Sequence, residues 1–346
     1  MDQFINTYGF LIVSLVIQAT LALSLYFPLM AGQLSLATPG FYAIGGYVAA
    51  VLSTQNFMPV AGSTFPEPLQ GFVLWLATVF PKVAQGDAYP IHLVLVEMAV
   101  GGILCGLLAI IVGLPALRLR GIYLAIATIA FVEIVRVLSL NFPITGGSIG
   151  IFGIPQPFPT KFEFAWIAVP LLVFVAWFAY RLEHARVGRA FIALREDELA
   201  AAAMGINPTF HKVMAFTLGA IIAGACGALG AHFLNTWNAR QGTFDASILI
   251  LAYVIIGGSR TWLGPIIGAF LLTALPEVLR GVSDIQGLPA FLRQFLKDGR
   301  LIIFGLLIAF GTLFFPQGLI TPQLFKRWRR NPSPPASAPP VTEAAR

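Results

Sequence analysis

Apolar runs of about 20 residues follow one another through most of this 346-residue chain, and a helix of that length crosses the hydrocarbon core of a bilayer. Few folds accept such a sequence. No water reaches the interior of a bilayer, so a crossing segment must satisfy its own backbone N–H and C=O groups, as a helix does. The other spanning structure, a closed barrel, needs alternating strands of roughly ten residues, and that alternation is missing. Charged residues make up 10% of the chain and hydrophobic ones 58%, where a soluble domain carries about 25% charged. The expected fold is all-α, a polytopic transmembrane helical bundle.

Candidate crossings lie near 9–29, 33–54, 91–114, 119–139, 164–182, 213–235, 244–258, 263–280 and 299–316, about nine in all. Residues 69–80 are apolar but short and bounded by Pro66, Pro68 and Pro81, so they read as an interfacial or re-entrant piece. The 244–280 pair is interrupted by GGSRTWLGP. Asp2 and no Lys or Arg precede the first run, and no small-residue cleavage site follows, which favours an uncleaved first helix. With the N-terminus outside, thirteen of the 21 Lys and Arg fall on the cytoplasmic side, as the positive-inside rule requires. The net charge of +6 therefore reads as topology rather than as a nucleic-acid surface. Residues 1–322 form one transmembrane domain with a cytoplasmic loop at about 183–212. The tail, 323–346, is basic and Pro-rich, a composition that builds no core, and its Lys and Arg suit anionic lipid.

The motifs of several chemistries are missing. There is no GxxxxGK[ST] phosphate loop, so ATP is not bound in the usual way. Neither HExxH nor GxSxG occurs, and His92, His184, His211 and His232 lie far apart. Cys105 and Cys226 stand singly in apolar segments, as core thiols do. No catalytic residue, metal site or cofactor is expected. Charge inside a crossing is costly and faces a partner or a cavity; Glu97, Glu133, Arg136 and Glu277 are so placed. Glu133 and Arg136, three apart, can pair on one helix, or Glu133 can line a substrate path. Unpaired carboxylates would instead suit an ion-coupled carrier. Gly219, Ala223, Gly227 and Ala231 recur every four residues, a spacing that lets helices approach closely.

One polar island interrupts the apolar pattern, GRAFIALREDELAAAAMGINP at 188–208. REDELAAAAMG reads as a short helix with acids at its positive N-terminal end, alanines as strong helix formers and Gly205 at its stop. Asn207 then caps a new helix with Pro208 at its first position. A short helix with little side-chain bulk on the cytoplasmic face suits a groove on a soluble partner. A solvated interfacial loop is the plainer reading.

These residues resemble the EAA loop of ATP-binding-cassette (ABC) importer permeases, in which Glu-Ala-Ala is followed three residues later by Gly. Gly205 sets the register, placing Leu199, Ala200 and Ala201 at those positions, with the glutamate one residue early at Glu198. More of the chain, from about 31 to 316, resembles the LivM type of branched-chain amino acid permease. GQLSLATPGFYAIGGYVAA at 32–50, GIYLAIATIAFVEIVR at 121–136, ITGGSIGI at 144–151, the island, and VIIGGSRTWLGPIIGAFLLTALPEVLR at 254–280 carry the likeness in order.

The resemblance implies a subunit of the bacterial inner membrane with no ATPase activity of its own. It would be paired with a LivH-type permease, two cytoplasmic ATPases and an external solute-binding protein. It implies uptake of branched-chain or related amino acids, while kindred permeases carry urea, short amides or aromatic acids. It also implies docking of the ATPase at Arg195, Glu196, Asp197, Glu198, Ala200, Ala201 and Gly205. Gln33, Ser35, Glu133, Thr145, Gly146 and Gly147 are the candidate pathway positions.

Overall fold

A computed structural model describes residues 2–56, 75, 78–80, 88–119, 121–283, 305–306, 309–310 and 318–319. Ten α-helices run along the described residues: α1 Asp2–Met30, α2 Thr38–Thr54, α3 Ile91–Ala116, α4 Ile122–Asn141, α5 Ala165–His184, α6 Arg186–Glu196, α7 Glu198–Ala203, α8 Pro208–Leu234, α9 Phe244–Gly257 and α10 Leu263–Ser283. Two short strands, β1 Ile151–Phe152 and β2 Thr236–Trp237, pair antiparallel with Ile151 opposite Trp237.

Six segments among the described residues are long and apolar enough to cross a membrane: Tyr8–Met30, Ile91–Ala116, Ile122–Asn141, Phe162–His184, Pro208–Leu234 and Ala239–Gly257. The architecture is that of a helical membrane protein, and the expected count of nine is not reached by these six. Helix α2 has 17 residues and the apolar part of α10 is also short. The expected crossing at 299–316, the piece at 69–80 and the tail at 323–346 lie wholly or mostly outside the described residues.

Helix α8 is the hub, packing against α3, α2 and α1. Its start follows from Asn207, whose Oδ1 accepts the Phe210 N–H at 3.1 Å, and from Pro208, whose missing N–H costs nothing in a first turn. The small-residue stripe is divided between neighbours: a β-carbon at Gly219 would meet the Ser24 carbonyl and Pro28 of α1, and one at Gly227 would meet the Tyr42 carbonyl of α2. Off the stripe, Gly224 lies against Cys105 of α3, 2.6 Å from its Sγ if a β-carbon were added. Backbone approach of this kind replaces side-chain interdigitation in membrane bundles. Cys105 and Cys226 are both buried and free.

One expected crossing is not a continuous helix: that at 33–54 begins with a non-helical segment at 33–37, and α2 starts only at Thr38, because Pro39 fits a first turn and breaks a helix interior. The crossing expected at 244–258 is the continuous 14-residue helix α9, of about 21 Å. It is preceded by a connecting stretch at 235–243 that holds β2 and one 3₁₀ turn, Ala239–Gln241. That stretch runs beside α2 in the opposite direction. Trp237 donates through Nε1 to the Ala43 carbonyl at 3.0 Å and its ring fills the space beside Gly46, while Gly242 lies against Ala43 and Pro39.

Candidate functional site

The polar island folds into more helix than its sequence suggested. Ahead of the expected short helix stands α6, whose Gly188, Phe191 and Leu194 are buried. Phe191 enters a cluster with Tyr26, Phe27 and Met30 of α1. The spacing of Val187, Phe191 and Leu194 is the helical signal that was available for it. Asp197 separates the two helices: its Oδ1 accepts the Leu199 and Ala200 N–H groups at 2.8 and 3.0 Å, capping α7.

The end of α7 is a Schellman turn. Gly205 takes φ +85°, its N–H donates to the Ala202 carbonyl, and the Ile206 N–H donates to that of Ala201. A left-handed residue here reverses the chain within one turn so that α8 can begin at Pro208.

The expected docking residues divide by which way they face. Glu196, Asp197, Ala200 and Gly205 are exposed, and Ala201 is buried. Glu198 accepts an ion pair from Lys212 Nζ at 2.8 Å, tying α7 to α8. Arg195 is mostly covered and lies against Gly32. The outward face carries large apolar side chains that the motif did not single out: Leu199 is 74% exposed, Met204 84% and Phe210 61%. Their type was the signal, since large apolar residues in a polar loop have no core to fill. No β-carbon contact would arise at Gly205, so the surface beside it is open.

Gln33 and Ser35 lie in the non-helical segment before α2, 2% and 1% exposed. The segment is tied to two helices through Leu36. Its N–H donates to Thr128 Oγ1 of α4 at 2.9 Å, and its carbonyl accepts from Ser247 Oγ of α9 at 3.0 Å. Ser35 Oγ accepts the Ala37 N–H at 3.3 Å. Neither polar atom of the Gln33 side chain has a hydrogen-bond partner among the described residues, and an orphaned buried amide costs about 1–3 kcal/mol. Helices α4 and α9 therefore meet at a non-helical segment that holds an unsatisfied amide.

Thr145 has a different setting. Its hydroxyl lies 2.6 Å from the Ser139 carbonyl and 2.7 Å from that of Phe142, closing the end of α4. Gly146 and Gly147, at φ +75° and +58°, complete that turn. Glu133 pairs with Arg136 Nε at 2.8 Å on the same helix, as their spacing predicted.

A site that sequence reading missed joins α3 to α8. His232 and Glu97, 135 residues apart, are both fully buried and paired through Nε2 and Oε2. No spacing in the sequence marks this pair, since only the fold brings the two residues together. Tyr89 Oη donates to the other Glu97 oxygen at 2.7 Å, and burial beside that carboxylate raises the Tyr89 pKa. His232 Nδ1 faces the Pro155 carbonyl at 2.7 Å; a carbonyl only accepts, so Nδ1 carries a proton. The group is satisfied and enclosed. Among the described residues no three His, Cys, Asp or Glu converge as a metal site would need.

Comparison with known proteins gives the arrangement a family. LivM, the high-affinity branched-chain amino acid transport system permease protein of Salmonella typhimurium, is 32% identical over 84% of this chain, and that of Escherichia coli is 30% identical over the same share. The aligned part is 64% of the length of each. LsrC, the autoinducer 2 import system permease protein of Yersinia pseudotuberculosis, is 27% identical over 60% of this chain and 61% of its own length. No solved structure matches significantly. The family described as branched-chain amino acid transport system / permease component matches residues 7–311, nearly all of the helical framework described above, and to that family this chain belongs.

Proposed function

We propose that this chain is a membrane-spanning permease subunit of an ATP-driven ABC importer, moving branched-chain or related amino acids by alternating access. The observation that carries it is the α6–α7 surface. There a capped short helix presents Ala200, Leu199, Met204 and Gly205 outward on a chain with no phosphate loop of its own. An apolar, low-bulk knob rimmed by Glu196 and Asp197 suits a groove on an ATPase subunit. Family membership points the same way.

In this reading the further partners are a LivH-type permease and an external solute-binding protein. The chain sits in a bacterial inner membrane with about nine crossings, its N-terminus outside and its C-terminus cytoplasmic. The Lys and Arg bias of the loops supports that orientation. The pathway runs by Gln33 and Ser35, in the non-helical stretch that interrupts an expected crossing, as transporter sites commonly do. Glu133 borders it, and the turn at Thr145, Gly146 and Gly147 shapes its outer end.

Urea, short amides or aromatic acids are the runner-up cargo. Ion-coupled transport has less support, because Glu97 is engaged by His232 and Glu133 by Arg136. Uptake into proteoliposomes holding the complete importer tests the class. Loss of uptake with vanadate and survival with a protonophore is expected; the reverse pattern would replace the ATP-driven reading with ion coupling.

A further inference from the structure

Beside the C-terminal third of α4 lies a cavity of about 350 Å³ whose lining includes Arg136, Leu140, Ser148, Ile149, Asn238 and Arg240. Its size falls within the roughly 300–1,000 Å³ of small-molecule sites. One wall is α4. Another is the 3₁₀ turn that follows β2, in the connection that leads into α9.

The charge of this place is unbalanced. Glu133 engages Arg136 through Nε alone, leaving the two Nη groups with four N–H donors and no acceptor among the described residues. Arg240 makes no ion pair among the described residues, and its side chain is exposed. Two guanidinium groups therefore stand against one carboxylate. Glu133 and Arg136 are also 38% and 41% exposed within a segment able to cross a membrane. Hydrocarbon solvates neither, so this flank of α4 borders water, a partner or a polar ligand.

We propose that this cavity is a carboxylate site, in which Arg136 and Arg240 receive the acid group of the solute carried by the chain. A guanidinium presents paired N–H donors in a plane that matches the two oxygens of a carboxylate. The Ser148 hydroxyl and the Asn238 amide add neutral polar groups, and Leu140 with Ile149 offers an apolar side for an aliphatic chain. Glu133 is a positioning residue that holds Arg136 by its Nε edge. The proposal rests on the transport reading above and narrows it to acids, against urea and neutral amides.

The test uses the full chain, purified with its partner permease in nanodiscs, and three related probes: L-leucine, 4-methylpentanoate, which lacks its amino group, and 3-methylbutylamine, which lacks its carboxylate. Binding of the two acids at millimolar concentration, with the amine at least roughly tenfold weaker, is expected. Arg136→Gln and Arg240→Gln should each weaken the acids by roughly tenfold or more. Arg240→Gln removes no ion pair seen here, so it keeps the test readable if Arg136→Gln folds poorly. Three results overturn the proposal: no acid binding by the natural chain, equal binding of the amine, or arginine variants that bind the acids normally. Variants that bind the acids normally but lose a solute-binding protein would assign the arginines to a protein contact instead. ATPase association, measured on the same sample, reports separately on the transport reading.

Discussion

Gly32, at the exit of α1, lies so close to Arg195 of α6 that a β-carbon added to it would stand 2.9 Å from the Arg195 Cα. Gly32 also takes φ +75°. The last turn of α6 thus touches the non-helical segment that carries Gln33 and Ser35. A displacement of the α6–α7 unit reaches that segment through backbone contact rather than through a flexible side chain.

Gly32→Val is accordingly expected to force α6 away from α1 and to place a β-branched residue in a left-handed conformation, at a cost of at least about 1–2 kcal/mol. Uptake should fall more than ATPase association does. Parallel transport and co-purification measurements check this, and equal losses in both would show that the contact only supports folding.

The turn at Gly205 needs a left-handed backbone but has open space around its Cα. Gly205→Ala should therefore destabilise the chain by about 1 kcal/mol, and Gly205→Asn by less, since Asn tolerates that region. Thermal unfolding in detergent ranks the two. An Asn variant less stable than the Ala variant would mean that side-chain bulk, not backbone conformation, sets the requirement.

Removing one member of the enclosed Glu97 and His232 pair strands the other. Glu97→Leu should cost about 3–5 kcal/mol, seen as loss of monodisperse protein on size exclusion after heating. Glu97→Gln keeps an acceptor for the Tyr89 hydroxyl and should cost less. A Glu97→Leu chain as heat-stable as the natural one would remove this pair from the account of how α3 and α8 are held.

Because Cys105 and Cys226 are buried, the natural chain should react little with a membrane-impermeant maleimide. Met204→Cys should then be labelled only from the cytoplasmic side, and Ile149→Cys, at a residue 72% exposed, only from the outside. Labelling of both from one side, or of Met204→Cys from the outside, would overturn the proposed orientation.

How much of this was legible in the sequence depended on the range of the interaction. The cap at Asn207, the stop at Gly205 and the pair of Glu133 with Arg136 arise within four residues, and their spacing announces them; Asp197, read as an acid within the short helix, instead caps it from outside. Helix α6 was missed because its charges drew attention from the apolar spacing of Val187, Phe191 and Leu194. Which face of α7 would be covered was not legible: Ala201 is buried and Ala200 exposed only because Glu198 is tied to Lys212 and α6 is seated on α1. The pairing of Glu97 with His232 needed two helices to meet. The break before α2 was hidden because apolar non-helical segments and apolar helices have the same composition, and only Pro39 hinted at it.

The outward face of α7 is the proposed seat of an ATPase. Leu199→Glu and Met204→Glu together change two exposed side chains that fill no core, so the unfolding temperature of the purified chain should not move. Co-purification of the cognate ATPase with that double variant is the direct measurement: the account predicts that the ATPase is lost while the partner permease is kept, and an ATPase retained at the level of the natural chain would contradict it.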